Sequence, residues 1–201
     1  MNKKSLLGIS LTAVAVLMVA SPALADEFAG FSSIAEIDKK NIEAVINSDD
    51  IIAEAGAYGF GVITSAGLDG ILVTTTHGGV LDSAAQSDVN DASFHNHYVA
   101  LQASADGSGL CPSLEVKDIT WKEPGDVTLD GDVALFDGPT KFKSKSSLTG
   151  DKIKFKTHGP IGNIVSFTIT PVDSTGAVSV DPIAAICIDV AGAATPLIDN
   201  S

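Results

Sequence analysis

The sequence contains no arginine, and its 12 lysines are outnumbered by 25 Asp and Glu residues, for a formal net charge of −13. The chain therefore lacks the planar guanidinium group with which arginine binds carboxylates and phosphates through paired hydrogen bonds. Binding to nucleic acid or to an anionic lipid surface depends on basic side chains that neutralise phosphates. The composition thus argues against nucleic-acid binding and against recognition of a phosphorylated substrate.

Sulfur-containing residues are also scarce. Both methionines, Met1 and Met18, lie in the first 25 residues, so a chain that has lost this segment offers no methionine ligand. This disfavours a blue-copper site of the His, Cys and Met type. The two cysteines, Cys111 and Cys187, are predicted to form one disulfide in an oxidising compartment, worth about 4 kcal/mol in the chain-entropy description. A thiolate metal ligand is the open alternative.

Several sequence motifs of enzymes are absent. There is no Gly-x-Ser-x-Gly elbow, no Gly-x-x-x-x-Gly-Lys-Ser/Thr loop and no Gly-x-Gly-x-x-Gly fingerprint. A nucleophilic serine of the hydrolase kind and a nucleotide cofactor therefore have no evident site. Asp189 interrupts the apolar run near the C-terminus, so after the leader we expect no membrane insertion.

The first 25 residues have the order of a cleavable signal peptide. Lys3 and Lys4 precede an uncharged apolar run over residues 6–20, and a small-residue box over 23–25 follows. Cleavage there leaves residues 26–201, with 10 Lys against 25 acidic residues and a formal balance of −15. We therefore expect a secreted, periplasmic or cell-surface protein.

The remainder is predicted to be mainly β. Val, Ile, Thr and Gly are frequent, and short alternating runs are separated by turn residues. We expect a single extracytoplasmic domain, an antiparallel sandwich or small barrel, with a short N-terminal helical segment over residues 33–54, where Ser33 and Glu36 form a possible capping box. Strands are predicted at 60–64, 71–76, 96–103, 114–121, 126–136, 139–145, 152–157, 163–171 and 183–190.

The histidines are unevenly placed. Three of the four, His77, His95 and His97, lie within 21 residues. Because side chains alternate along a strand, His77 shares a face with Ile71, Val73 and Thr75, and His95 shares one with His97, Val99 and Leu101. If the two strands pair antiparallel, three imidazoles meet at one end of the interior.

Three converging imidazoles suit a divalent transition metal, with zinc or copper favoured and iron also acceptable, and they leave a coordination position open. For a further ligand or an orienting partner the first choice is Asp82, followed by Asp91 or His158. Tyr98 is expected on the opposite face. The sequence does not decide whether such a metal is catalytic. The alternative is that the histidines are rim residues hydrogen-bonded to neighbours such as Ser93, in a metal-free structural or adhesive module of the cell envelope.

The order of His-x-His, a cysteine and a late cysteine is similar to that of copper–zinc superoxide dismutases. The similarity covers His95, His97, Cys111 and Cys187 alone. The spacing of the other histidines and the absence of arginine depart from that family's pattern.

Lysine is concentrated in one predicted hairpin. Two alternating strands joined around residues 149–151 are expected to place six ammonium groups on one outward face, from Lys141, Lys143, Lys145, Lys152, Lys154 and Lys156. One interpretation is a contact surface for an anionic partner, either an acidic polymer or the acidic body of a second copy. The other is protection of a strand edge against aggregation.

Overall fold

The computed structural model describes residues 31–38, 40–48, 51, 57–77, 93–157 and 159–194. The predicted signal peptide and the candidates Asp82, Asp91 and His158 lie outside these ranges. Within them the chain is nearly all strand, which confirms the mainly β prediction. The strands are β1 (Ser32–Asp38), β2 (Asn41–Asn47), β3 (Tyr58–Thr64), β4 (Ile71–Thr76), β5 (His95–Ala103), β6 (Leu114–Ile119), β7 (Val127–Asp130), β8 (Val133–Pro139), β9 (Lys141–Lys145), β10 (Lys152–Lys156), β11 (Ile161–Val172) and β12 (Ala185–Ala194).

Six strands close into an antiparallel barrel in the order β11-β12-β6-β5-β4-β3. Its interior is aliphatic because the inward positions of the alternating strands carry branched side chains and one phenylalanine. The buried members are Ile71, Val73, Val99, Leu101, Val116, Val165, Phe167, Ile186 and Ile188. The described part of the chain has only two short 3-10 turns, Gly67–Asp69 and Ser104–Asp106, and none of its helices has the length and apolar character to span a bilayer.

A second sheet, in the order β1-β2-β8-β7, covers part of the outer face of the barrel. The outward side chains of β3 to β5 and the inner side chains of this sheet form one buried cluster. It includes Tyr58, Phe60, Val62, Leu72 and Tyr98 from the barrel and Ile42, Ala44, Ile46, Ala134 and Phe136 from the sheet. β3, β4 and β5 are therefore buried on both faces, and the two cores lie on opposite sides of these three strands.

The predicted helix over 33–54 is wrong where the structure describes it. Residues 32–38 and 41–47 are two paired strands, and Ser33 and Glu36 are ordinary strand positions. The spacing of Ile42, Val45 and Ile46 is compatible with a helix. Ile42 and Ile46 also fit a period of two through Ala44, however, and Val45 points outward. The pairing of β2 with β8 and the burial of the alternate residues Ile42, Ala44 and Ile46 outweigh the local helical pattern.

The lysine hairpin forms as predicted from β9 and β10, which pair in register Lys141↔Lys156, Lys143↔Lys154 and Lys145↔Lys152. All six lysines are exposed. On the other face, Phe155 stacks on Tyr98 with ring centroids 5.6 Å apart, and Phe142 lies at 6.2 Å from the same ring. The apolar face of the hairpin is therefore anchored on the outer side of β5.

The predicted disulfide is present between Cys111 and Cys187, whose Cα atoms are 5.2 Å apart and which are separated by 76 positions in the sequence. It ties the segment before β6 to β12. β6 and β12 are also paired with each other, with Cys187 opposite Glu115. The covalent link therefore reinforces a long-range contact of the barrel wall.

Candidate metal centre

Strand pairing places the histidines. β4 and β5 are antiparallel neighbours, with Val73 opposite His97 and Thr75 opposite His95. His77 directly follows β4, and two positions beyond Thr75 it falls on the same inward face. The convergence that the alternation predicted is thus confirmed.

The three imidazoles form a compact buried group. One ring nitrogen from each lies within 4.8 Å of the other two, and His77 Nε2 and His95 Nε2 are 2.9 Å apart. The ring centroids are separated by 4.6 Å for His77 and His95, 4.8 Å for His95 and His97, and 6.0 Å for His77 and His97. The exposed fractions are 7%, 3% and 1% for His77, His95 and His97, so all three side chains are buried.

Backbone carbonyls orient two of the rings. His95 Nδ1 lies 2.8 Å from the carbonyl oxygen of Ser93, and His97 Nδ1 lies 2.8 Å from that of Thr120. A carbonyl oxygen only accepts, so we assign the proton of each neutral ring to Nδ1 and the lone pair to Nε2. Carbonyls that hold the second nitrogen in this way are typical of histidines that ligate metals. In the pair at 2.9 Å, His77 Nε2 then donates to His95 Nε2. To ligate a metal through Nε2 as a neutral ring, His77 would adopt the other tautomer, with its proton on Nδ1.

The spacing fits a small cation with modest adjustment. Zinc bonds of about 2.0–2.1 Å in a tetrahedral site separate neighbouring nitrogens by about 3.3 Å. His77 Nε2 and His95 Nε2, at 2.9 Å, are slightly closer than this value, and all three nitrogens lie within 4.8 Å of one another. Ring movements on the order of 1 Å would equalise them around one metal position.

Within the described ranges the group consists of these three imidazoles, and it includes no carboxylate or thiolate. Asp82, the first choice as a further ligand, and its alternatives Asp91 and His158 fall outside those ranges, so their roles stay predictions. The cysteines are joined to each other, which removes the thiolate alternative.

Tyr98 lies on the opposite face of β5, as the alternation predicted. Its hydroxyl donates to the carbonyl oxygen of Pro139 at 2.8 Å. Burial raises the pKa of Tyr98 to about 12, with a smaller contribution of the same sign from Asp137, although a hydrogen bond with Thr157 acts against it. The phenol is therefore a neutral structural donor and takes no part in the histidine group.

The backbone carbonyls that orient the rings could not be predicted from the sequence. Ser93 is a predicted hydrogen-bonding neighbour, but its backbone carbonyl makes the contact with His95. Nothing in the sequence indicates that the carbonyl of Thr120 contacts His97. Any residue supplies a backbone carbonyl, so such partners cannot be recognised from residue type.

Two of the three imidazoles border an apolar cavity of about 680 Å³ inside the barrel. His77 and His97 are among its lining residues, together with Thr75. A metal held by the group would thus lie beside a largely aliphatic space. No protein-family model, no curated protein and no solved structure matches the chain.

Proposed function

We propose that the protein binds one divalent transition metal ion, zinc or copper in preference to iron, through His77, His95 and His97. The observation that supports this most directly is the approach of one nitrogen from each of three buried rings to within 4.8 Å. Imidazole is a ligand that zinc and copper share, and burial keeps water from competing for the ring nitrogens.

Three neutral ligands leave the full charge of the ion uncompensated and one coordination position open. In such zinc sites a bound water reaches a pKa near 7, so that hydroxide is present at neutral pH. Copper in the same ligand set would instead support electron transfer. We propose the open position, facing the cavity, as the place where any chemistry occurs.

We further propose that the protein works outside the cytoplasm. The disulfide between Cys111 and Cys187 supports this, because such bonds persist in oxidising compartments. The leader-like order of the first 25 residues points the same way.

A second candidate function rests on the lysine hairpin. Three lysine pairs stand directly opposite each other on β9 and β10, and none of the six makes an ion pair with an acidic residue of the described ranges. Like charges in register destabilise a hairpin, so the arrangement has a stability cost. This cost would be explained if the protein is a metal-free module of the cell envelope that binds an anionic partner through the lysine face.

Metal analysis tests the first proposal. The chain without its leader is purified without a polyhistidine tag, dialysed against zinc or copper and assayed for bound metal. We expect one ion per chain, and loss of at least about tenfold in affinity when His95 and His97 are both changed to Ala, because two of three ligands are removed.

The matched control is Thr75→Val. Thr75 is buried opposite His95, and its hydroxyl has no hydrogen-bond partner among the described residues, so the exchange alters the same surroundings without removing a ligand. The control should bind metal like the parent. Circular dichroism establishes that all variants are folded. A folded parent that holds no metal, or equal loss in Thr75→Val, would contradict the proposal and favour the second candidate.

A further inference from the structure

The cavity inside the barrel has the size and lining of a site for a small organic molecule. Its volume of about 680 Å³ lies within the range of about 300–1,000 Å³ that is usual for such sites. Aliphatic side chains such as Val99, Leu101 and Ile188 form most of the wall. The polar lining residues are few, namely Thr75, His77, His97, Ser147 and Asp181.

Glycines on the inward face of β3 help to keep this space open. A Cβ at Gly61 would lie 3.1 Å from a methyl carbon of Ile71 and 3.3 Å from one of Val73. A Cβ at Gly59 would lie 2.4 Å from the carbonyl oxygen of Thr74. Methyl groups of Ile71 and Val73, which line the cavity, therefore pack against the bare backbone of β3 at Gly61.

The edge of the cavity, its rim, includes apolar side chains that are exposed to solvent. Four of its lining residues are among the most exposed large hydrophobic side chains of the described structure, namely Leu68 at 40%, Leu148 at 45%, Val180 at 47% and Val190 at 50%. Exposed apolar side chains that surround an apolar cavity are typical of a binding site and costly for a surface without one. Contacts with such a rim would stabilise a bound apolar molecule, whereas they would not stabilise a small ion or a polar substrate.

The polar groups of the cavity include two of the histidines. His77 and His97 line it where β4 ends and β5 begins, and Asp181 is an exposed lining residue in the connection between β11 and β12. No lysine lines it among the described residues. A metal ion held by three neutral imidazoles would be the one positive group facing the space, and a buried charge of this kind favours an anionic ligand. A carboxylate oxygen bonds zinc at about 2.0–2.2 Å.

We propose that the barrel binds a fatty-acid-like monocarboxylate, with its hydrocarbon chain in the cavity and its carboxylate on the histidine-bound metal. The assignment of the carboxylate rests on the proposed metal function, whereas the assignment of the hydrocarbon chain rests on the cavity alone.

Binding of laurate and of its uncharged methyl ester separates the two assignments. Both probes are titrated calorimetrically into the full chain without its leader, once loaded with zinc and once freed of metal, after the zinc content has been measured. We expect one laurate per zinc-loaded chain, bound about tenfold or more tightly than the ester. In the metal-free protein the two probes should bind alike.

A pair of surface substitutions locates the site. Leu148→Glu places a carboxylate on the rim and should weaken laurate binding by about tenfold. Leu135→Glu is the matched control, because Leu135 is 43% exposed on β8, outside the lining of the cavity, and it should leave the affinity unchanged. Both sites are at the surface, so both variants should fold.

The outcomes are distinct. A chain that holds zinc but binds laurate no better than the ester would overturn the carboxylate assignment and leave the metal centre intact. A chain that holds no zinc, yet binds both probes equally, would overturn the proposed metal function. Failure to bind either probe in either form, or equal weakening by Leu148→Glu and Leu135→Glu, would overturn the assignment of the cavity.

Discussion

Among single residues, Glu115 is the buried carboxylate whose surroundings are best defined. It is 4% exposed, and it accepts hydrogen bonds from the backbone N–H of Ser108 at 2.7 Å, from the Ser108 hydroxyl, and from Gln102 Nε2 at 2.8 Å. Burial opposes its ionisation, yet the hydrogen bonds outweigh it and hold the pKa of Glu115 below its ordinary value. The carboxylate therefore fixes the loop that leads to Cys111.

Replacing Glu115 with Gln should remove an acid-sensitive part of the stability. The lowered pKa means that the parent has this contribution at pH values above the ordinary value of 4.5 and loses it as the pH falls through the folded-state pKa. At neutral pH we expect Glu115→Gln to lower the free energy of unfolding by about 2 kcal/mol. The difference should shrink toward acid pH. Denaturant unfolding over a pH series measures it, with the exposed Glu123→Gln as control. A difference independent of pH would contradict the account.

The histidines show how far sequence reasoning reaches at this scale. Strand alternation and one assumed antiparallel pair sufficed to predict that His77, His95 and His97 meet. The positions of the ring nitrogens depend on the carbonyls of Ser93 and Thr120, and these were not predictable because the approach of Thr120 depends on how the chain continues after β6.

At the level of strands and turns, most segments were predictable because the chain alternates clearly. β4, β5, β10 and β11 begin and end within two residues of the predicted bounds. The predicted strand over 126–136 is in fact the hairpin of β7 and β8, which turns at Gly131 with φ of 56°. The Asp130-Gly131 pair at this turn is typical of tight β-hairpins. The first hairpin was mistaken for a helix because both periods fit its few apolar residues.

The lysine hairpin has the clearest energetic consequence among these elements. Lys154 stands directly opposite Lys143, so Lys154→Gln removes a repulsion worth a few tenths of a kcal/mol up to about 1 kcal/mol. We expect a higher melting temperature at low salt. Because salt screens this repulsion, the gain should vanish at high ionic strength. Thermal melting monitored by circular dichroism over a salt series tests this.

The matched control for the hairpin is Lys117→Gln, which changes the net charge equally. Lys117 Nζ lies 3.8 Å from an Asp69 carboxylate oxygen, so this exchange removes an attraction and should leave the melting temperature unchanged or lower it slightly. If Lys154→Gln behaved like Lys117→Gln at low salt, in-register repulsion would not be a feature of the hairpin.

For the molecule as a whole, the sequence indicated strands but not their partners. β3 pairs with β11, and β2 pairs with β8, each across many intervening residues. The choice between sandwich and barrel was left open for this reason, and the structure contains a closed barrel with a second sheet on its outer face. The disulfide was predictable because two cysteines allow a single pairing. The cavity was not, since aliphatic inward positions are compatible with both a filled and an open barrel.

The same arrangement joins the two proposed roles of the barrel. β4 and β5 present histidines at one end of their inward faces and aliphatic side chains along the remainder. A metal site and an apolar cavity are therefore built on the same two strands. Rigid, doubly buried strands are suited to hold ligands in a fixed geometry.

X-ray absorption at the metal edge of the zinc-loaded or copper-loaded protein tests the central claim most directly, because it counts imidazoles around the ion. We predict three nitrogen ligands at about 2.0–2.1 Å, with the multiple-scattering pattern of imidazole, and a loss of one imidazole on changing His95 to Ala. A first coordination sphere dominated by oxygen, or an imidazole count unchanged by that substitution, would contradict the account.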